Sequence, residues 1–330
     1  MHVLVTGAAG MLGRRIVAAL VARGRLGDAR IERLTLQDVV EAAPPDAAEP
    51  AVGVETGDLA AAGTAERLIA GRPDVVLHLG AVVSGEAEQD FEKGYRVNFD
   101  GTRALLEAIR RAGDGYRPRF VFASSIAVFG APLPDVIDDD FHAVPLTSYG
   151  AQKAMGELLV TDYTRRVILD GASLRLPTVC VRPGAPNKAA SGFFSGIIRE
   201  PLNGERAVLP VDEDVRHWMV SPRSAAGFFL HAAEADLSAL GPRRALNMPG
   251  VSVTVAEEIE ALRRVGGDDA VALIERRPDP AIEAMVGTWA RGFDARRARD
   301  AGFTAEDRFD EIVDAYVEEE LGGRVPVRER

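Results

Sequence analysis

The chain has 330 residues, 47% apolar and 27% charged, and a net charge of −11 at pH 7. That length and balance suit a globular protein with a sizeable core, and the negative field disfavours nucleic acid or an anionic membrane as a partner. Cys180 is the single cysteine, which excludes a disulfide framework and a Cys-based metal site, and no run of about 18 apolar residues is present to span a bilayer.

His2–Gly7 (HVLVTG) reads as an apolar strand. It lacks the basic, apolar and small-residue succession of a signal peptide, so a cytoplasmic chain is expected. Met11–Gly24 carries a helical pattern and Ile31–Val40 a strand; Glu41–Ala51 is an Ala/Pro-rich loop. Ala51–Asp58 is a strand, Thr64–Gly71 a helix and Pro73–Ala81 a strand. A long helix is expected over Ala87–Ala112, then a strand at Pro118–Ser125. The acidic run Asp138–Asp140 reads as a solvated loop rather than a metal site. A second long helix, Ser148–Asp170, feeds a strand at Ser173–Gly184. Nearly continuous apolar strands alternating with helices specify an α/β fold, a Rossmann-type doubly wound parallel sheet. After Gly184 the elements shorten, ending in amphipathic helices at Val253–Val265 and Phe309–Leu321. Residues 1–184 are expected to form the dinucleotide-binding domain. Residues 185–330 are expected to be a smaller, mainly substrate-binding part with segments crossing back.

Three glycines, Gly7, Gly10 and Gly13, lie between the first strand and the first helix, where a dinucleotide fingerprint belongs. Gly7 permits the turn, Gly10 lets the backbone approach a pyrophosphate, and Gly13 allows close helix–strand packing. The N–H groups at Met11, Leu12 and Gly13 then face the negative charge. Asp38 ends the next strand and can accept from the adenosine ribose; Val39 and Val40 follow it instead of an arginine. NAD is therefore expected rather than NADP. Asp58 reads either as an acceptor for the adenine amine or as a turn cap.

Tyr149 and Lys153 are four residues apart on a helical pattern and share one face. Free tyrosine titrates near 10, so a tyrosine base needs a lowering of about 3 units. A lysine one turn away, and the charge of an oxidised nicotinamide, favour the phenolate. Ser124 and Ser125 end the Pro118–Ser125 strand, on the edge where open α/β sheets bind ligands. His78 and Cys180 read as core, and His217 as packed against its neighbour Trp218.

The set TGxxGxxG at Thr6–Gly13, Asp58-Leu59, Asn98–Thr102 (NFDGT), Ser124–Gly130 (SSIAVFG) and Tyr149-x-x-x-Lys153 resembles the extended short-chain dehydrogenase/reductase family, also called the nucleotide-sugar epimerase/dehydratase family. The resemblance implies catalysis by Ser125, Tyr149 and Lys153, with Lys153 also binding the nicotinamide ribose. It implies cofactor contacts at Leu59, Ala81, Asn98, Ser124 and Pro177, and at Gly80, where relatives often have alanine. Gly80–Ala108, Ser173–Leu202 and Val215–Ala225 further resemble a group in that family that oxidises the 2-hydroxyl of the four-carbon sugar acid D-erythronate with NAD. Such an acid needs fixed cations or N–H donors for its carboxylate. Arg182, Asn187, Lys188, Arg199 and Arg216 are the candidates, and Ser84 is a candidate for the sugar hydroxyls. The competing expectations are an epimerase or dehydratase acting on a nucleotide-linked sugar with retained NAD, and a non-catalytic NAD sensor. The two long helices are expected to pair across a two-fold axis in a homodimer.

Overall fold

The computed structural model describes residues 1–47, 49–184 and 191–329. Its centre is a seven-stranded sheet in the order Ala245–Asn247, Asp170–Leu176, Arg119–Ser125, Val75–His78, His2–Thr6, Arg33–Asp38 and Ala51–Thr56. Every neighbouring pair is parallel. Successive side chains alternate between two apolar clusters: Val3 and Val5 face one, Leu4 the other; Val121 and Ala123 face one, Phe120 and Phe122 the other. Burial on both faces is what makes these strands read as unbroken apolar runs.

The chain runs outward from His2–Thr6 to Ala51–Thr56, then returns to place Val75–His78 on the other flank of the first strand. The strand order reverses there, opening a crevice between the carboxyl ends of His2–Thr6 and Val75–His78. The later half of the chain contributes to this sheet. Pro222–Glu234 packs in the same cluster as Met11–Arg23, and Ala245–Asn247 is the edge strand beside Asp170–Leu176. A separate apolar cluster gathers Phe194, Ile198, Ile259 and Ile312 around a small sheet of Thr178–Val179, Arg216–Val220 and Val251–Thr254.

Three expected elements differ. The long helix over Ala87–Ala112 begins at Ser84 and breaks into Ser84–Gln89, Phe91–Gly94, a π-helical turn at Tyr95–Asp100, and Gly101–Ala112. Asp90 stops the first piece and caps the second, accepting from the Lys93 N–H at 3.0 Å, the local bond by which aspartate competes with helix. The Ser148–Asp170 helix ends at Arg165, because Thr164 turns back to bond Val160 O and the Gly171 N–H. The strand Ser173–Gly184 divides at Pro177, which offers no N–H: Asp170–Leu176 stays in the main sheet and Thr178–Val179 enters the small one. Asp138–Asp140 is also less free than a solvated loop. Asp138 O accepts from Asn247, Asp139 from the Arg297 N–H, and Asp140 pairs with Arg243.

Among the described residues no helix is long and apolar enough to cross a membrane. Glu258 is fully buried, and neither carboxyl oxygen has a hydrogen-bond partner. Burial holds its carboxyl well above the usual carboxylate range. A raised folded value means that stability is lost as pH climbs above the unfolded value. Glu258→Met should therefore raise the melting temperature by about 2 °C or more at pH 8, and by less at pH 5. Thermal melts at the two pH values check this.

Candidate active site

Gly7 holds φ +72°, and a Cβ there would lie 2.7 Å from the Gly80 N atom. A Cβ at Gly13 would lie 2.1 Å from Gly7 O, and one at Gly10 would lie 3.2 Å from the same oxygen. The turn thus folds tightly against the start of the Met11–Arg23 helix, whose first N–H groups have no partner within the helix. Gly10 is exposed at the mouth of the crevice. Asp38 reaches into the same turn: one carboxyl oxygen accepts from the Ala9 N–H at 2.9 Å, the other from the Val39 N–H at 2.7 Å. The cradle and its acidic flank fit a dinucleotide at the strand reversal.

A hydrogen-bonded chain locks the two sides of the crevice. Thr102 Oγ1 donates to Asn98 O at 2.7 Å and so accepts from His78 Nε2 at 2.9 Å. His78 Nδ1 then accepts from Thr6 Oγ1 at 2.7 Å, while Thr6 Oγ1 accepts from the Gly80 N–H at 3.2 Å. Burial, then the Lys153 charge, push the His78 imidazole down to about 3, so it stays neutral with a fixed tautomer.

Ser125 sits at the carboxyl end of Arg119–Ser125, with Oγ accepting from the Ala127 N–H at 3.1 Å. Tyr149 and Lys153 project from Ser148–Arg165, whose N-cap Thr147 accepts from the Gly150 N–H at 3.0 Å. Two glycines let this helix sit against the strand. A Cβ at Gly150 would lie 2.1 Å from Ala127 O, and one at Gly156 would lie 2.6 Å from the Phe122 ring. Lys153 is buried; Nζ donates to Ala123 O at 2.7 Å and lies 5.6 Å from the centre of the Tyr149 ring. Burial lowers the Lys153 ammonium to about 8, against the opposing charge of Glu157. Burial pushes the Tyr149 phenol up to about 12, and the Ser125 hydroxyl works in the other direction. The lowering expected of Tyr149 is therefore not a property of the protein by itself.

The remaining predicted residues fall into groups. Asp58 caps the Ala60 N–H at 2.9 Å and pairs with Arg96. Leu59 is buried in the cluster with Leu68 and Leu105. Asn98 clasps Val82 through both its N–H and C=O and donates to Gln152 Oε1 at 2.8 Å. Ser124 Oγ donates to Glu157 at 2.5 Å. Gly80 and Ala81 line the strand reversal, and Pro177 is buried at the end of Asp170–Leu176. Ser84 starts the helix after that crevice. Arg182 is half-buried and donates to Ser191 Oγ at 3.1 Å; Arg199 donates to Arg182 O and pairs with Glu200. Arg216 donates to Ser252 O and pairs with Glu257. Asn187 and Lys188 lie outside the described residues.

Sequence reasoning missed the Glu157–Arg175 fork beneath the tyrosine helix, with Arg175 Nε and Nη2 at 2.9 and 2.8 Å from the carboxylate. The available signal was position: Glu157 follows Lys153 by one helical turn. His217 does not pack on Trp218, because strand alternation sends them to opposite faces. His217 stacks on Phe194 with ring centres 5.1 Å apart and bonds Thr178 Oγ1 at 2.7 Å, whereas Trp218 donates to Met248 O.

Residues 3–238 match the model of the NAD dependent epimerase/dehydratase family. The chain belongs to that family. Its members use NAD, the cofactor that the glycine cradle and Asp38 fit. Within the family the chain is 47% identical, over 97% of its length and 98% of the relative's, to D-erythronate dehydrogenase of Cupriavidus necator. It is 39% identical to D-erythronate dehydrogenase of Haemophilus influenzae, over 97% of this chain and all of that one. A crystal structure described as the nucleoside-diphosphate-sugar epimerase from Agrobacterium tumefaciens superposes with a TM-score of 0.97 at 58% identity, covering 98% of this chain and 96% of that chain.

The backbone contact at Gly150 leaves no space for a methyl group. Gly150→Ala should displace Tyr149 from Ser125 and lower kcat by about 100-fold or more while NAD still binds. Steady-state kinetics and an NAD titration monitored by fluorescence separate the two effects.

Proposed function

We propose that this protein is an NAD-dependent dehydrogenase that oxidises the 2-hydroxyl of D-erythronate, a four-carbon sugar acid, to the 2-oxo acid. The observation that carries the reading is the meeting of Ser125, Tyr149 and Lys153 on the carboxyl edge of the sheet beside the glycine cradle. The substrate is supported by the two full-length D-erythronate dehydrogenase relatives. Residues 1–184 hold the cofactor and the reacting groups in this reading, and residues 185–330 mainly the substrate.

The phenolate of Tyr149 takes the proton of the 2-hydroxyl, and Ser125 Oγ donates a hydrogen bond to the same oxygen. The Lys153 ammonium, held at Ala123 O, favours the phenolate by its charge. Bound NAD supplies the hydride acceptor. Arg182 is proposed for the substrate carboxylate, since it follows Pro177 and Thr178 along the chain. Ser84 is proposed for the sugar hydroxyls.

Burial keeps the Tyr149 phenol protonated at neutral pH in the cofactor-free chain, and the charge of bound NAD lowers it toward that range. Oxidation at saturating NAD should therefore rise with pH between 6 and 8. Tyr149→Phe should lower kcat by about 100-fold or more with NAD affinity within about threefold of native. Full turnover in that variant overturns the assignment. A second reading, favoured by the name of the Agrobacterium protein, is an epimerase that keeps and recycles its NAD. Absorbance of released NADH over a panel of four- to six-carbon hydroxy acids, with nucleotide sugars as controls, decides between them.

A homodimer through the helices at Ser84–Ala112 and Ser148–Arg165 is also proposed. Phe91 and Leu158 on these segments are 59% and 70% exposed, apolar surface that a two-fold helix contact would cover. Light scattering at micromolar concentration should give twice the chain mass; a clean monomer overturns it.

A further inference from the structure

Lys153 is one of three lysines in the chain and is 3% exposed, where an ammonium without a counter-charge is costly. Tyr149 and Glu157 flank it on its own helix, Arg175 is forked to Glu157 from the neighbouring strand, and His78 lies on the Val75–His78 strand. Tyr149 and His78 are neutral at pH 7 and Arg175 is a cation, so Glu157 is the anion of this group.

The carboxylate has two attachments. Arg175 donates two fork bonds to it, and is itself braced by Asn247 Oδ1 at 3.1 Å and by the Phe129 ring at 4.9 Å. Ser124 Oγ donates to Oε1 at 2.5 Å. Ser124 lies between Ala123, whose carbonyl holds Lys153 Nζ, and Ser125. The buried carboxylate is therefore tied to the strand end that carries Ser125, and lies one helical turn from Lys153, which is itself one turn from Tyr149. We propose that Glu157 is a positioning residue for turnover: its carboxylate keeps Lys153 as the ammonium and, through Ser124, fixes the strand end that sets Ser125 opposite Tyr149. This rests on the catalytic reading of Tyr149 and Lys153 given above.

Removing the carboxylate leaves Arg175 without its partner and Lys153 buried without the anion one helical turn away. Of the two, only the lysine readily sheds its proton. The test is a carbon-13 NMR titration of the cofactor-free chain labelled at lysine Cε. Only three signals arise, and Lys153→Met assigns the one needed. The Lys153 midpoint should lie near 8 in the native chain and fall by about one unit or more in Glu157→Gln. Glu157→Asp should recover most of that fall. The ratio of native to Glu157→Gln kcat should grow about fivefold from pH 6.5 to pH 8.5, as the variant loses its ammonium first. A midpoint within about 0.3 unit of native, or a kcat ratio that does not change with pH, overturns the proposal. If Glu157→Gln does not fold, Glu157→Met with Arg175→Met leaves no charge of the pair unmatched and carries the same expected fall. The titration uses no cofactor or substrate, so its failure tells against Glu157 alone, whereas failure at Tyr149→Phe tells against the catalytic reading.

Discussion

The contact on which the site depends is backbone to backbone. The start of Ser148–Arg165 approaches the backbone of Ala127, just past the end of Arg119–Ser125, so closely that no side chain fits at Gly150, and the Phe122 ring of that strand leaves no room for one at Gly156. That approach brings a phenol and an ammonium on a helix within reach of a serine at a strand end. The strand is paired on both sides as far as Phe122, and its end is held by Asp170–Leu176, with Ser125 in register with Leu176. Rigid elements, rather than mobile loops, therefore set the distances among Ser125, Tyr149 and Lys153, the arrangement best able to hold a fixed geometry.

Around this contact the protein buries charge and accounts for it. Lys153, Glu157 and Arg175 form a group of alternating sign between the helix and the sheet, closed by Asn247 from the edge strand. On the other side, Thr6, His78, Thr102 and the Gly80 N–H form a neutral chain whose donors and acceptors are mutually satisfied. The two networks meet near Lys153, whose charge helps keep His78 unprotonated. Glu258 is the contrast: a buried carboxyl with no partner, kept neutral by its surroundings, in the cluster of the later half of the chain.

Much of this was legible in the residues because the relevant signals are local. The glycine turn, Asp38 at a strand end and the Tyr149–Lys153 spacing each state a conformation and a chemistry within a few positions. The doubly wound sheet followed from apolar strands alternating with helices. What the sequence concealed was set by distant partners. Glu157 looks like the solvated side of an amphipathic helix until Arg175, 18 residues on, is placed beside it. The π-helical turn at Tyr95–Asp100 carries Asn98, which grips Val82, a contact that periodicity does not encode. A neighbouring lysine and an oxidised nicotinamide together favour a lowered phenol at Tyr149. In the protein alone its burial, a tertiary property, raises it instead.

The edge strand Ala245–Asn247 has a consequence for synthesis. A ribosome delivers residues in order, so the six strands up to Leu176 emerge before the seventh that borders Asp170–Leu176. Until then that border is an open row of N–H and C=O groups, and the helix Pro222–Glu234, with its buried Phe228 and Phe229, has not covered the apolar face beside it. The nascent chain up to Leu176 is thus a sticky intermediate, prone to pair with a neighbour's edge, and its maturation waits for the chain to pass Asn247.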